Sequence, residues 1–288
     1  MISPKTFHQR THPAATRGPE RARLRREPSS RSAQRTSALA PVDAVPEAIH
    51  RTPVDLEVII PARNEECRIA RTIHEVSAYL AAQPFSSRIV VVNNGSADRT
   101  TEVVDEQNQG RVPVVVIGCS TPGKGAAVRR GVLTSTARFI GFCDADLATP
   151  IGMLDTVMPL LWDGAPIVVG SRYAPGCGMG ARRRVVRRVG GWAFRRTART
   201  VVPGVYDTQC GFKFFSGPVA RSIFARAWVD GFAFDVEVLA LAAGMTVPIL
   251  EVPVSWQDQD RSTFNAARDG WRSFRVVLTL LSTARGVG

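Results

Sequence analysis

The sequence predicts an α/β domain: a mostly parallel sheet with helices on both faces. Three observations carry that prediction. From Val54 to Val169, β-rich runs alternate with stretches of helical spacing, which is the order of βαβ units. The strand-forming runs are continuous Val/Ile stretches, as expected where both faces of a sheet are covered. One of them, Arg138 to Cys143, stops abruptly in two carboxylates, Asp144 and Asp146. At the carboxyl end of a strand these side chains face the crevice where open α/β sheets bind ligands.

Val54 to Ile60 is a short β-rich run, closed by Pro61. Glu65 to Ala82 follows with Ile69, Ile73, Val76 and Leu80 at helical spacing. Arg88 to Val92 reads as a second buried strand, ended by Asn93-Asn94-Gly95-Ser96. Asp98 to Gln107 reads as a helix and Val112 to Ile117 as the third strand. After Pro122-Gly123, Lys124 to Ser135 is helical, and Arg138 to Cys143 is the strand that delivers Asp144. Ile151 to Trp162 is the next helix and Pro166 to Val169 the next strand. Two further stretches read as amphipathic helices, Ala181 to Thr200 and Trp271 to Arg285.

The chain divides by composition. Residues 1–52 hold ten Lys/Arg and four acidic residues, half of the net charge of +12. They contain almost no large apolar side chains, so this basic tail is expected to be disordered. It has no apolar core of a secretory signal. Residues 53–288 have the composition of one globular domain, without an apolar run near the roughly 20 residues needed to span a bilayer. Five cysteines, odd in number and without a Cys-x-x-Cys pair, point to reduced thiols and away from structural zinc. His74 is the one histidine in this domain, which disfavours chemistry built on a His base.

Asp144 and Asp146 repel each other and call for a cation. Hard divalent ions are held by one or two carboxylates together with a substrate's phosphates. The pair therefore reads either as a metal–diphosphate site or as a solvated turn. Gly123-Lys124-Gly125 lacks the spacing of a P-loop and reads as a helix start, where free amides and a Lys favour phosphate, or as a turn. No G-x-G-x-x-G follows the first strand, which disfavours a dinucleotide fold. Between Ala181 and Thr200 there are eight arginines and no acid, with Val185, Val186, Val189, Trp192 and Ala193 on the opposite side of a helix. That pattern fits a helix lying in a membrane interface or a basic helix packed on the domain. Arginines without interleaved aromatics do not fit single-strand nucleic-acid binding.

Seven motifs occur in order: Ile60-Pro61-Ala62-Arg63-Asn64-Glu65, Val92-Asn93-Asn94-Gly95-Ser96-Ala97-Asp98, Gly123-Lys124-Gly125-Ala126-Ala127-Val128, Asp144-Ala145-Asp146, Gly170-Ser171-Arg172, Asp207-Thr208-Gln209-Cys210-Gly211-Phe212-Lys213 and Phe232-Ala233-Phe234-Asp235-Val236-Glu237. The series resembles the family-2 inverting glycosyltransferases of GT-A fold. Within them it is most similar to the polyprenyl- and dolichyl-phosphate sugar synthases, and to their glucosyl branch. The resemblance covers about Val54 to Ser262. It implies a nucleotide-sugar-binding half over 53–172 and an acceptor- and membrane-facing half over 173–288.

Carried over by position, the resemblance implies that Pro61, Ala62, Glu65, Asn94, Lys124 and Ala145 serve the nucleotide-sugar pocket. Asp144 and Asp146 would hold Mg²⁺ or Mn²⁺, with Arg172 facing the phosphates. Beside these, Arg182 and Arg183 of the basic stretch, Lys213, and Arg261 as a stand-in for the family's Lys are expected to meet the acceptor phosphate or the membrane. The partners implied are a UDP-sugar, polyprenyl phosphate and a membrane surface, not nucleic acid, and a membrane-protein partner or homo-oligomer stays open. The implied activity is metal-dependent transfer of glucose or an N-acetylhexosamine with inversion, at the cytoplasmic face of a membrane and without a transmembrane helix. A soluble acceptor, or GDP-mannose as donor, are the alternatives. The sequence departs from the family at three places. Asn93-Asn94 stands where Asp-Asp is usual, Ala148 replaces a polar residue often offered to the metal, and Arg261-Ser262-Thr263 replaces Gly-Ser-Lys.

Overall fold

A computed structural model describes residues 53–108, 110–174, 194, 196–256 and 268–285. The basic tail, most of the arginine-rich segment and the segment containing Arg261 lie outside the described residues, and with them Arg182 and Arg183.

Seven strands form one sheet: β1 (Leu56–Ala62), β2 (Ser87–Asn93), β3 (Val114–Gly118), β4 (Phe139–Phe142), β5 (Ile167–Ser171), β6 (Lys213–Ser216) and β7 (Leu250–Pro253). Their spatial order is β3-β2-β1-β4-β6-β5-β7. β1 pairs in parallel with both β2 and β4, and β5 in parallel with β7. β6 runs antiparallel to β4 and to β5. The sheet is therefore parallel except for β6, which sits between β4 and β5.

Helices cover both faces. α1 (Ile69–Ala81), α2 (Thr100–Glu106) and α4 (Leu154–Trp162) bury their apolar sides with Val58, Ile60 and Val91. α3 (Lys124–Thr134), α5 (Gly217–Phe224), α6 (Phe234–Gly244) and α7 (Arg268–Arg285) pack on the opposite face with Ile59, Val92, Phe142 and Phe215. Neighbouring strand residues thus point into different cores, so the strands read as unbroken apolar runs. Each element expected from Val54 to Val169 is present, with ends shifted by a few residues, and Ile151–Met153 forms a 3-10 turn ahead of α4.

This topology positions the site. The order β3-β2-β1-β4 reverses between β1 and β4, and such a reversal opens a crevice at the carboxyl ends of the strands. Asp144 follows β4 there and Arg172 follows β5. Because β6 is antiparallel, the residues that precede it, Asp207 to Phe212, arrive at this same edge, and Trp256 reaches it beyond β7. Among the described residues no helix is long and apolar enough to cross a membrane.

Candidate active site

Asp144 and Asp146 occupy the loop that leaves β4. The Leu147 amide donates to the Asp144 carbonyl at 3.0 Å and the Ala148 amide to Asp146 Oδ1 at 3.1 Å, so the loop folds tightly around the pair. Ala145 is buried, and its carbonyl accepts the Thr72 hydroxyl of α1 at 2.6 Å, which ties the loop to the helix layer. Burial, and then the neighbouring Asp144 charge, push the Asp146 carboxyl above its ordinary pKa. A pair in this state accommodates a cation.

The structure places a cation on it. Lys124 Nζ lies 2.5 Å from Asp144 Oδ1. Lys124 opens α3 directly after Gly123, whose φ of 133° is a conformation that side chains rarely adopt. Burial opposes the charge on Lys124, but Asp144, Asp235 and Asp146 outweigh it and hold the ammonium's pKa above its ordinary value. On the other side of Asp144 sits Gly211, where a β-carbon would land on the Asp144 carboxylate. The glycine of the Asp207-to-Lys213 motif thereby makes room for this carboxylate.

Across the cleft, Arg172 is fixed by Asp207. Its Nε donates to Oδ2 at 2.6 Å, its Nη2 to Oδ1 at 2.8 Å and its backbone N–H to Oδ2 at 3.0 Å. Burial alone would raise the Asp207 carboxyl, but the hydrogen bonds and charge of Arg172 prevail and lower it. Asp207 and Tyr206 donate their amides to Glu251 on β7 at 2.7 and 2.9 Å, which anchors the segment. Trp256 lies beside the guanidinium, with 5.8 Å from ring centroid to Cζ. Asp144, Thr149, Arg172, Gln209, Gly211 and Trp256 line one cleft. Thr149, Gln209 and Trp256 are not among the site residues that the sequence leads one to expect. Trp256 follows an edge strand of four residues, and no local periodicity marks it.

The expected nucleotide side lies along the ends of β1 and β2. Pro61 and Ala62 close β1, and the Ala62 carbonyl accepts the Asn94 amide at 2.9 Å. Glu65 donates its backbone N–H to the Thr100 hydroxyl at 2.8 Å and pairs with Arg68 at 2.6 Å. Burial raises the Glu65 carboxyl's pKa, Arg68 works against this, and Asp146 adds to it. Asn94 is buried, and its side-chain amide is committed to the chain beyond β3. Oδ1 accepts the Gly123 N–H at 2.7 Å, and Nδ2 donates to the Thr121 carbonyl at 2.7 Å. Asn93 in turn donates to the Thr101 hydroxyl and accepts the Ser96 amide.

Lys213 does not fit the expected role at the acceptor phosphate. It is fully buried, its ammonium 2.5 Å from Asp235 and hydrogen-bonded to the Cys210 carbonyl. Its position on β6, between β4 and β5, turns the side chain inward, so it forms a core ion pair. Glu237 likewise accepts the Trp228 and Val229 amides at 2.8 and 2.9 Å and ties down that loop. Of the expected interfacial helices, residues 181–193 lie outside the described residues. The C-terminal one is present as α7, with Val277 buried and Trp271, Arg275 and Leu278 exposed.

A divalent cation fits these residues. The Asp144 and Asp146 carboxylates share one loop, and an ammonium already sits on one of them. Among the described residues no cluster of three or more acidic, histidine or cysteine side chains is arranged to hold a metal. Two carboxylates leave an ion's remaining positions to a substrate's phosphates and to water.

Comparison with known proteins bears on the family and the fold. Residues 57–224 match the glycosyl transferase family 2 model. Dolichyl-phosphate beta-glucosyltransferase of Dictyostelium discoideum is 32% identical over 231 residues, covering 74% of this chain and 70% of the relative. The Homo sapiens enzyme of that name is 33% identical over 222 residues, covering 72% and 68%. Among solved structures, glucosyl-3-phosphoglycerate synthase of Mycobacterium tuberculosis with phosphoglyceric acid superimposes with a TM-score of 0.61 at 18% identity, over 79% of this chain and 80% of that one. The same synthase with Mn²⁺ and UDP-glucose gives 0.59 at 19% identity, over 80% and 78%. The structural likeness is one of GT-A fold; the family model and the sequence relatives go further, and on them the chain belongs to glycosyl transferase family 2.

Proposed function

We propose that the chain is an inverting glucosyltransferase that moves glucose from UDP-glucose to a polyprenyl phosphate at a membrane surface. The observation that carries this reading is the pairing of tools in one cleft. Asp144, whose neighbour Asp146 leaves β4 on the same loop, lines one cleft with a guanidinium, Arg172, held in place by buried Asp207. Such a cleft suits two phosphate-bearing substrates whose mutual repulsion must be overcome. Glucose and a dolichyl-type acceptor are supported by the sequence relatives, and UDP by a structural neighbour solved with UDP-glucose.

The attacking group is a phosphate monoester, whose second pKa is about 6. It is therefore mostly dianionic at neutral pH and needs no protein base, consistent with His74 being exposed on α1. An oxygen of the lipid phosphate forms the bond to the sugar's anomeric carbon, while the bond to UDP breaks and its electron pair leaves on the diphosphate. No proton changes hands. One displacement inverts the anomeric centre. Asp144 and Asp146 would hold a divalent cation, which would supply Lewis-acid neutralisation of the departing charge. Arg172 orients the acceptor, because a guanidinium forks onto phosphate oxygens. Asp207 keeps that fork aimed into the cleft. Asn94 shapes the nucleotide pocket by fixing the chain at 121–123 with its side-chain amide.

The test is to incubate the purified full chain with a panel of nucleotide sugars and polyprenyl phosphate and identify the product by mass spectrometry and NMR. A β-linked polyprenyl-phosphate glucose formed from UDP-glucose is expected. A retained anomeric configuration, or transfer only to soluble phosphate monoesters, would contradict the proposal.

A further inference from the structure

We propose that Lys124 is a built-in counter-ion that holds the metal's place on Asp144 and yields it only when a diphosphate arrives to take the ammonium. Divalent metal and nucleotide then bind as a coupled pair. This inference rests on the reading of Asp144 and Asp146 as the cation site.

Three features support it. Lys124 Nζ is 2.5 Å from Asp144 Oδ1, within the space a metal bound to that oxygen would occupy. Two positive charges on one carboxylate oxygen repel, so the ammonium and the ion exclude each other unless further negative charge enters. Secondly, the Asp144 carboxylate fills the space that a side chain at 211 would take, and the glycine there leaves it within reach of Lys124. Thirdly, Lys124 is fixed at the N-terminal end of α3, where loop 229–231 closes on it: the Ala126 amide donates to the Asp230 carbonyl at 3.2 Å, and a β-carbon on Gly125 would meet the Val229 carbonyl. The lysine's base is therefore stationary and only its side chain swings. It swings within a field made by Asp144, Asp146 and buried Asp235, which is already paired with Lys213. A diphosphate entering the cleft offers the ammonium a partner of higher charge. Asp144 is released to the metal in the same exchange.

Coupling of this kind is reciprocal: whatever factor nucleotide adds to metal affinity, metal adds to nucleotide affinity. Removing the ammonium should shrink that factor and let metal bind alone. The experiment is Mn²⁺ titration of the full chain, followed by the electron paramagnetic resonance signal of free Mn²⁺, with and without UDP. Wild type is compared with Lys124→Met and Lys124→Arg. In the absence of UDP, Lys124→Met should bind Mn²⁺ more tightly by a factor within the about 5- to 150-fold range of site-to-site coupling. Lys124→Arg, which keeps a cation, should stay as weak as wild type, and the enhancement by UDP should be smaller in Lys124→Met than in either. Lys124→Gln serves the same comparison should the methionine variant fail to fold. Equal Mn²⁺ affinity of wild type and the neutral variants without UDP would overturn this inference and leave the proposed function standing. Absence of Mn²⁺ binding in every protein, with UDP present, would overturn the metal reading and this inference with it.

Discussion

Arg172 and Asp207, thirty-five residues apart, meet in a two-point hydrogen bond, Nε to Oδ2 at 2.6 Å and Nη2 to Oδ1 at 2.8 Å, with Asp207 fully buried. The guanidinium at the mouth of the cleft is thus aimed by a carboxylate that solvent does not reach. Removing one partner of a buried pair costs about 3–5 kcal/mol, because the other charge is left uncompensated. Arg172 keeps some solvent contact, so Asp207→Asn should fall near the low end. Activity should drop about 10²-fold, as when a reacting group is misplaced by an ångström. Urea unfolding and initial rates check both; an active variant with a disordered Arg172 would contradict the positioning role.

The same pair has a pH signature. Arg172 lowers the folded-state pKa of Asp207 against the pull of burial. A group with a depressed folded pKa contributes stability above its unfolded value, about 3.9, and loses that contribution as pH falls through the folded one. The stability gap between wild type and Asp207→Asn should therefore be full near neutral pH and close below about pH 4. Denaturant melts over that range measure it, and a gap that widens with acid would be the wrong sign.

Gly211→Ala separates folding from chemistry. The added methyl meets the Asp144 carboxylate, the movable end of a side chain, so the structure yields by rotating that carboxylate away. Stability should change by less than about 1 kcal/mol, the scale of a surface substitution. Transfer should fall at least about tenfold, since a displaced charge-stabilising group loses much of its effect. Thermal melts alongside initial rates test this, and an unchanged rate would show that the placement of Asp144 is not critical.

Lys213 and Asp235 answer to the opposite pattern. Their ion pair is fully enclosed, 2.5 Å between Nζ and Oδ1. Lys213→Met alone should cost about 3–5 kcal/mol, leaving Asp235 buried without its partner. Adding Asp235→Asn to the same protein should recover most of that loss. A double-mutant cycle in urea gives the coupling directly. Equal and additive losses would argue against a core pair.

The first half of the fold is legible in the sequence because β1, β2 and β4 are buried on both faces and read as unbroken apolar runs. The second half is not. β6 is four residues, Lys213–Ser216, opened by a charged side chain whose partner lies twenty-two residues away. β7 is an edge strand with Leu250 exposed, and α6 buries Asp235 and Glu237 among its apolar side chains, so neither shows a distinct period. The site divides in the same way. Asp144 and Asp146 stand out as carboxylates that end an apolar run. Long-range contacts such as Lys124 to Asp144, and Asn94 to the chain at 121–123, exist only once β3, β2, β1 and β4 have assembled in that order. Lys213 reads as a polar residue of the site by its motif, but on β6 it is buried and paired with Asp235.

Asp144 and Asp146 carry the proposed chemistry. Asp144→Asn and Asp146→Asn should each lower turnover by ~10²-fold or more, as when a group stabilising transition-state charge is removed. The most direct measurement is transfer of glucose from UDP-glucose to polyprenyl phosphate by protein stripped of metal, followed by addition of Mn²⁺ or Mg²⁺. The predicted result is loss of product in the stripped protein and return of product on addition of the ion. Undiminished transfer by metal-free protein would contradict it.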